Sequence, residues 1–163
     1  MANVFDLVKG EAHVVAESSR LKATTVGHIY DLKMAKNTDN GTIVSVGEHV
    51  EGQVFAAKDY VAGEKPYLVL TSPLAYNGKK VWSDEKYFYN AKDEIARAYE
   101  LHVDDIFTVS QDAFDGEPAV GKYVDAKYTV AESAGESGFV GLITEEVNYT
   151  NSVSYRIRVV ALG

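Results

Sequence analysis

The stretch that decides the fold class of this chain is Ser152-Val-Ser-Tyr-Arg-Ile-Arg-Val-Val160. Apolar and polar side chains alternate along it with a period of two, the pattern of a strand that buries only one face. The apolar face comprises Val153, Tyr155, Ile157 and Val159, and the polar face comprises Ser154, Arg156 and Arg158. The pattern therefore predicts a half-buried β-strand.

Two further strands are predicted immediately before this one. Residues 139–147 have a strand-like composition, and Asn148-Tyr-Thr-Asn151 suits a hairpin connection to the strand that follows. Residues 122–130 also alternate with a period of two, and the glycine-containing segment 133–138 then forms a loop. The last third of the sequence thus predicts three consecutive strands.

The same pattern recurs upstream, where five more strands are predicted at residues 42–46, 53–57, 67–71, 96–103 and 106–110. Turns are predicted at Asn40-Gly41, Gly52, Asp104-Asp105 and Asp115-Gly116. Residues 83–90 could form a short helical turn with Ser83 as its N-cap. No segment sustains helical periodicity over many turns. We therefore expect a mostly β protein, a compact antiparallel β-barrel or sandwich with one or two short helical turns.

Composition restricts the chemistry that this chain can perform. Its 163 residues fit one domain whose core is large enough to fold without a disulfide or a metal. The absence of cysteine excludes disulfides, thiolate catalysis and cysteine-ligated metals. The formal charge of −8 disfavours nucleic-acid binding, which normally needs a basic face, and indicates a solvated acidic surface.

The first 22 residues differ from the rest of the chain, because Val4, Phe5, Leu7 and Val8 form a small apolar cluster ahead of a polar stretch. Residues 1–22 are predicted to be either a first strand or an extended arm that docks on a neighbour, and residues 23–163 a β domain. The start lacks the basic and apolar regions of a signal peptide. No apolar run reaches the roughly 20 residues that cross a bilayer. We expect a soluble protein without a membrane partner.

The sequence carries no recognisable catalytic or metal-binding pattern. The four histidines, at positions 13, 28, 49 and 102, lack ligand spacing, and there is no Gly-x-Ser-x-Gly elbow. Adjacent acidic residues on a strand point to opposite faces and cannot form a glycosidase dyad by themselves. We expect no catalytic residue, no metal and no cofactor. An enzyme whose site combines His28, His49, His102 and distant acidic residues is kept as an alternative.

Aromatic residues are concentrated between positions 76 and 89, where exposed Tyr and Trp side chains would suit a protein interface or a stacked sugar. The alternative is that they cover the core under a long loop. Together with the N-terminal apolar cluster, they give the candidate contact residues Val4, Phe5, Leu7, Val8, Tyr76, Trp82, Tyr87 and Tyr89.

Three stretches resemble small proteins of tailed bacteriophages that decorate and stabilise the head. They are Tyr67-Leu-Val-Leu-Thr-Ser-Pro73, residues 88–110 from Phe88-Tyr-Asn-Ala to Phe107-Thr-Val-Ser110, and Ala119-Val-Gly-Lys-Tyr-Val124. The strand at 152–160 also fits the usual ending of such proteins. The resemblance rests on the general character of these stretches and not on an invariant motif.

The resemblance implies a non-enzymatic structural protein that binds the outer surface of the capsid and bridges capsid subunits. It implies the major capsid protein as partner, synthesis in the cytoplasm of a host bacterium and a final location on the virion exterior. Closed symmetry makes a homo-oligomer, a trimer or a dimer, plausible. The alternative function is a tail or fibre binding module that recognises a cell-surface glycan or protein.

Overall fold

The structure, a computed structural model, describes residues 13–27, 29–71, 89–149 and 152–162. The predicted mostly β fold with short helical turns is confirmed. The strands in the described ranges are β1 (Ala16–Arg20), β2 (Ile29–Lys33), β3 (Ile43–Glu51), β4 (Val54–Asp59), β5 (Tyr67–Val69), β6 (Ile95–Glu100), β7 (Ile106–Ser110), β8 (Tyr123–Val124), β9 (Val130–Ala131), β10 (Val140–Tyr149) and β11 (Ser152–Ala161).

Six of these strands form an open antiparallel sheet, hereafter the open sheet, in the order β1-β7-β11-β10-β8-β9. Its centre is the predicted C-terminal hairpin, in which Tyr149 of β10 lies opposite Ser152 of β11. Tyr155, Ile157 and Val159 of the predicted apolar face are buried, whereas Val153 of that face is 37% exposed and Ser154 of the predicted polar face is buried. The hairpin therefore follows from the sequence pattern.

The other five strands close into a small barrel in the order β2-β4-β3-β5-β6. Most neighbours in it are antiparallel, but β2 and β4 pair in parallel, with Leu32 opposite Phe55. Its interior is filled by apolar side chains that include Leu32, Met34, Val44 and Val69. The sequence predicted a barrel or a sandwich, and the chain combines a closed barrel with an open sheet.

A second apolar core lies between the barrel and the open sheet. Ile43 of β3 and Leu68 of β5 lie opposite each other and point out of the barrel into this core. They share it with Phe107 and Ile157 of the open sheet, both fully buried. The strands β3 and β5 are therefore buried on both faces at these positions, and the two sheets share one core.

Two short helical segments complete the described chain. The helix α1 (Ala23–Val26) ends at Gly27, which has a φ of 80° and donates its N–H to the carbonyl of Ala23. A single 3-10 turn covers Gln111–Ala113. The helical turn predicted at residues 83–90 falls outside the described ranges, except for Tyr89 and Asn90. Within those ranges, no helix has the length and apolarity needed to span a membrane.

The prediction of one strand over residues 122–130 is wrong, because the short strands β8 and β9 replace it and pair with each other. The Asp125 carboxylate accepts the backbone N–H groups of Lys127 and Thr129, at 2.9 and 3.0 Å. This is the local hydrogen bonding by which aspartate favours turns. Tyr128 takes a positive φ of 59° in the same turn.

The N-terminal segment begins, in the described part, at His13, and residues 16–20 form β1 at the edge of the open sheet. Val15 and Ser110 exchange hydrogen bonds where β1 meets β7. Residues 1–12, which contain the predicted apolar cluster, lie outside the described ranges.

Candidate functional site

A cleft of about 820 Å³ lies at the junction of the barrel and the open sheet in the described part of the chain. One wall consists of residues 36–43, which connect β2 to β3, and of residues 59–62 after β4. The other wall consists of the 3-10 turn, the β8–β9 turn and residues 137–139. Concave junctions between structural units are common ligand and partner sites, so we take this cleft as the candidate site.

Two tyrosine hydroxyls hold the walls of the cleft together. The Tyr128 hydroxyl donates to the carbonyl of Gly41, which joins the β8–β9 turn to the barrel. The Tyr60 hydroxyl accepts the backbone N–H of Phe139 at 3.0 Å. Burial raises the pKa of Tyr128 far above its ordinary value of 10.0. The cleft is therefore formed before any partner enters it.

The floor of the cleft requires glycine at position 41. Gly41 has a φ of 91°, and a Cβ atom there would lie 2.9 Å from Cγ1 of Val109 and 3.2 Å from the Cβ of Ala16. Its N–H donates to the carbonyl of Val69 at 2.8 Å. The predicted Asn40-Gly41 turn is thus the place where the chain passes close to the open sheet.

Behind the cleft, a buried amide pair fixes the connection between β2 and β3. The Asn40 side chain donates to the carbonyl of Thr71 at 2.9 Å and accepts the N–H of Thr71 at 3.0 Å. The Asn90 side chain donates to Asn40 Oδ1 at 3.0 Å and to the Thr38 carbonyl at 3.1 Å. Because both amides are buried and bonded, they hold the wall in one conformation.

The cleft is lined by more carboxylates than cations, with Asp39, Asp59, Asp112 and Asp125 against Lys36 and Lys127. Two of these aspartates, Asp39 and Asp125, have structural roles. Asp125 closes its turn, and Asp39 Oδ1 lies 2.7 Å from His13 Nδ1 while Oδ2 accepts the N–H of Val14.

The other two aspartates of the cleft, Asp59 and Asp112, are more accessible to a partner. The Asp59 side chain is 83% exposed, and among the described residues its one ion pair is the surface contact with Lys36, at 3.0 Å. Asp112 is also exposed. A surface ion pair of this kind contributes little to stability, so both carboxylates can meet a cationic partner at small cost.

A second group of ionisable side chains lies where the chain crosses from β6 to β7. His102 Nε2 is 3.5 Å from Glu100 Oε1, and its Nδ1 is 3.9 Å from Asp105 Oδ2. Asp105 accepts the backbone N–H groups of Lys22 and His102, at 3.0 and 2.8 Å. Burial, and then the Glu100 charge, raise the pKa of Tyr67. These contacts fix the crossover and the start of α1, and we assign the group a structural role.

The histidines of the described ranges lie in separate environments. His49 Nε2 lies 2.8 Å from the carbonyl of Gly52 and its ring packs on Phe55, whereas His13 and His102 contact the carboxylates described above. His28 falls outside the described ranges. Among the described residues, no three His, Asp or Glu side chains are placed to hold a metal ion.

Of the eight predicted contact residues, only Tyr89 is described. Its side chain is exposed, and its ring stacks on His13 with a centroid distance of 4.7 Å. The others lie outside the described ranges: Val4, Phe5, Leu7, Val8, Tyr76, Trp82 and Tyr87. The sequence reasoning missed the cleft, although it recognised the Asn40-Gly41 and Asp115-Gly116 turns near its walls.

No protein-family model, no curated protein and no solved structure matches this chain.

Proposed function

We propose that this chain is a non-enzymatic structural protein of a phage virion, which binds the outer surface of the capsid and stabilises it by bridging capsid subunits. The proposal begins from the resemblance of residues 67–73, 88–110 and 119–124 to head-decoration proteins. The described parts of these segments contain β5 and β6 of the barrel and β7 and β8 of the open sheet. The resemblance therefore concerns the central part of the fold.

The observation that carries the proposal is the core shared by the two sheets. A bridging protein must keep its contact surfaces at a fixed separation. Ile43 and Leu68 of the barrel pack in one cluster with Phe107 and Ile157 of the open sheet. Exposing a single side chain of this kind costs about 1.5–3 kcal/mol, so separating the two sheets would be strongly unfavourable. The fold thus has the rigidity that bridging requires.

The charge of the chain supports the same location. A formal charge of −8 is unfavourable next to packaged DNA and suits the exterior of a shell. Many copies on a capsid would add many modest interfaces, and this requires no chemistry at any one site.

The direct test mixes the purified protein with capsids that were assembled without it and images them by electron cryomicroscopy. We expect added density on the outer surface and a higher temperature of capsid disruption. An unrelated protein of similar size and charge serves as the control. The proposal is refuted if no density appears at any salt concentration.

Variants of the predicted contact residues extend this test. Phe5→Ala and Trp82→Ala are expected to weaken capsid binding, because both remove a large apolar side chain from a proposed contact surface. Val50→Ala is the matched control, since Val50 is 42% exposed and lies outside the N-terminal cluster, the aromatic region 76–89 and the three segments of resemblance. Equal binding by all three variants and the wild type would exclude these residues as the contact surface.

A further inference from the structure

Arginine is unevenly distributed over this protein. The chain has four arginines, and three of them, Arg20, Arg156 and Arg158, lie on the strands β1 and β11 of the open sheet. Phe107 of β7 points into the shared core, so Ile106 and Thr108, on either side of it, point to the opposite face. Arg20 and Arg158 lie opposite Ile106, and Arg156 lies opposite Thr108. All three arginines therefore lie on the face that points away from the shared core. An acidic protein therefore has one local concentration of guanidinium groups.

The face around these arginines has the composition of an interface. A single row crosses five adjacent strands in the order Tyr123, Leu142, Arg158, Ile106 and Arg20. The two arginines are exposed, and the other three side chains are half-buried. Tyrosine and arginine are enriched in the residues that dominate protein–protein binding, and lysine is depleted at interfaces. We call this row, with Arg156 beside it, the arginine face.

Two guanidinium groups of this face are available to a partner. Arg156 Nη1 already binds Glu145 Oε2 at 2.6 Å. Arg20 and Arg158 form no ion pair within the described part of the chain. They are two strands apart, so their backbones are about 10 Å apart. The partner that fits has carboxylates at a similar spacing, since guanidinium binds carboxylates in a planar, bidentate manner.

Nucleic acid is a poorer fit than an acidic protein. Glu17 lies on the same face, opposite Thr108 and two strands from Arg156, and Glu145 is bound to Arg156. Carboxylates within the patch and a net charge of −8 would repel a polyanionic backbone. A second copy of this chain has the required chemistry, because its cleft presents the exposed carboxylates of Asp59 and Asp112.

We propose that the arginine face of one copy docks on the aspartate-lined cleft of a second copy. The two surfaces differ, so the contact is heterologous and leaves a docked pair with one free face, on one copy, and one free cleft, on the other. Such contacts produce closed rings or open chains. The preformed walls of the cleft favour this use, because little conformational freedom is lost on binding.

The test is sedimentation equilibrium of the wild type and of paired charge variants. The wild type is expected to associate beyond its 17.8 kDa monomer, and less so as salt concentration rises. Arg20→Glu/Arg158→Glu and Asp59→Lys/Asp112→Lys should each raise the dissociation constant ~30-fold or more. An equimolar mixture of Arg20→Glu/Arg158→Glu with Asp59→Asn/Asp112→Asn should form a 1:1 dimer that does not grow, because one intact face and one intact cleft remain and the altered face and cleft do not attract each other.

Matched controls separate this contact from a general effect of charge. Lys33→Glu/Lys92→Glu and Glu48→Lys/Glu94→Lys change the net charge equally at barrel positions and should leave association unchanged. Circular dichroism checks the folding of each variant, and Arg20→Gln/Arg158→Gln and Asp59→Asn/Asp112→Asn replace any that does not fold. A monomeric wild type, an unchanged association of either paired variant, or a monomeric mixture would overturn the proposal.

Discussion

Replacing Asn40 with alanine tests whether the buried amide pair holds the wall of the cleft. The Asn40 side chain forms three hydrogen bonds, two with the backbone of Thr71 and one with the Asn90 amide, and it is only 6% exposed. Alanine removes all three bonds and offers no replacement. The Thr71 N–H and carbonyl then lose their side-chain partner, whereas Asn90 keeps its bond to Thr38.

The magnitude follows from the number of polar groups left without a partner. Each buried donor or acceptor that loses its partner costs about 1–3 kcal/mol. Two such groups arise at Thr71, and this residue is half-buried, so water can compensate in part. We expect Asn40→Ala to lower the free energy of unfolding by about 2–4 kcal/mol, a large share of the roughly 5–15 kcal/mol typical of a domain.

Urea denaturation followed by circular dichroism measures this change. Asn37→Ala is the matched control, because Asn37 lies in the same connection and, within the described ranges, its side chain accepts a single hydrogen bond, from the exposed Lys92 N–H at 2.9 Å. That variant should lose about 1 kcal/mol or less. If Asn40→Ala were no less stable than Asn37→Ala, the amide pair would not be the element that fixes this wall.

Three further substitutions test the core and the cleft. Because burial keeps Tyr128 protonated while the unfolded chain titrates near 10.0, wild-type stability should fall as pH rises above 10.0, and Tyr128→Phe should lower that dependence by about one proton in urea titrations at several pH values. Phe107→Ala, at a fully buried position of the shared core, should lower the free energy of unfolding by about 3–5 kcal/mol in urea titrations. Gly141→Ala would place a Cβ atom 2.6 Å from Cγ2 of Ile157 and should lower the free energy of unfolding by about 1–3 kcal/mol. An unchanged free energy of unfolding would show that β10 and β11 can separate locally.

Local patterns predicted those parts of the fold that depend on neighbours in sequence. The alternation at 152–160 and the connection at 148–151 predicted the hairpin of β10 and β11, because such a pair needs only one buried face and a short turn. The single strand predicted at 122–130 was wrong, since the Asp125 carboxylate bonds two nearby N–H groups and closes a turn. Alternation describes which face is buried and does not detect such a competing local bond.

The candidate site was harder to predict, because its parts are far apart in sequence. The Asn40-Gly41 turn was recognised, but its contact with Tyr128 joins residues 87 positions apart. The arginine face depends on the register of β1, β7 and β11, which brings Arg20 and Arg158 to either side of Ile106. Neither relation leaves a periodic signal in the sequence.

The sequence by itself determined the β class, the C-terminal hairpin and the acidic, cysteine-free character of the chain, because these depend on composition and on period-two alternation. Only the tertiary structure decided that five strands close into a barrel and six form an open sheet, and that β3 and β5 are buried on both faces. The physical reason is that strand order and register are set by packing between distant segments. The apolar run Ile43-Val44 shows this, because one side chain fills the barrel and its neighbour fills the shared core.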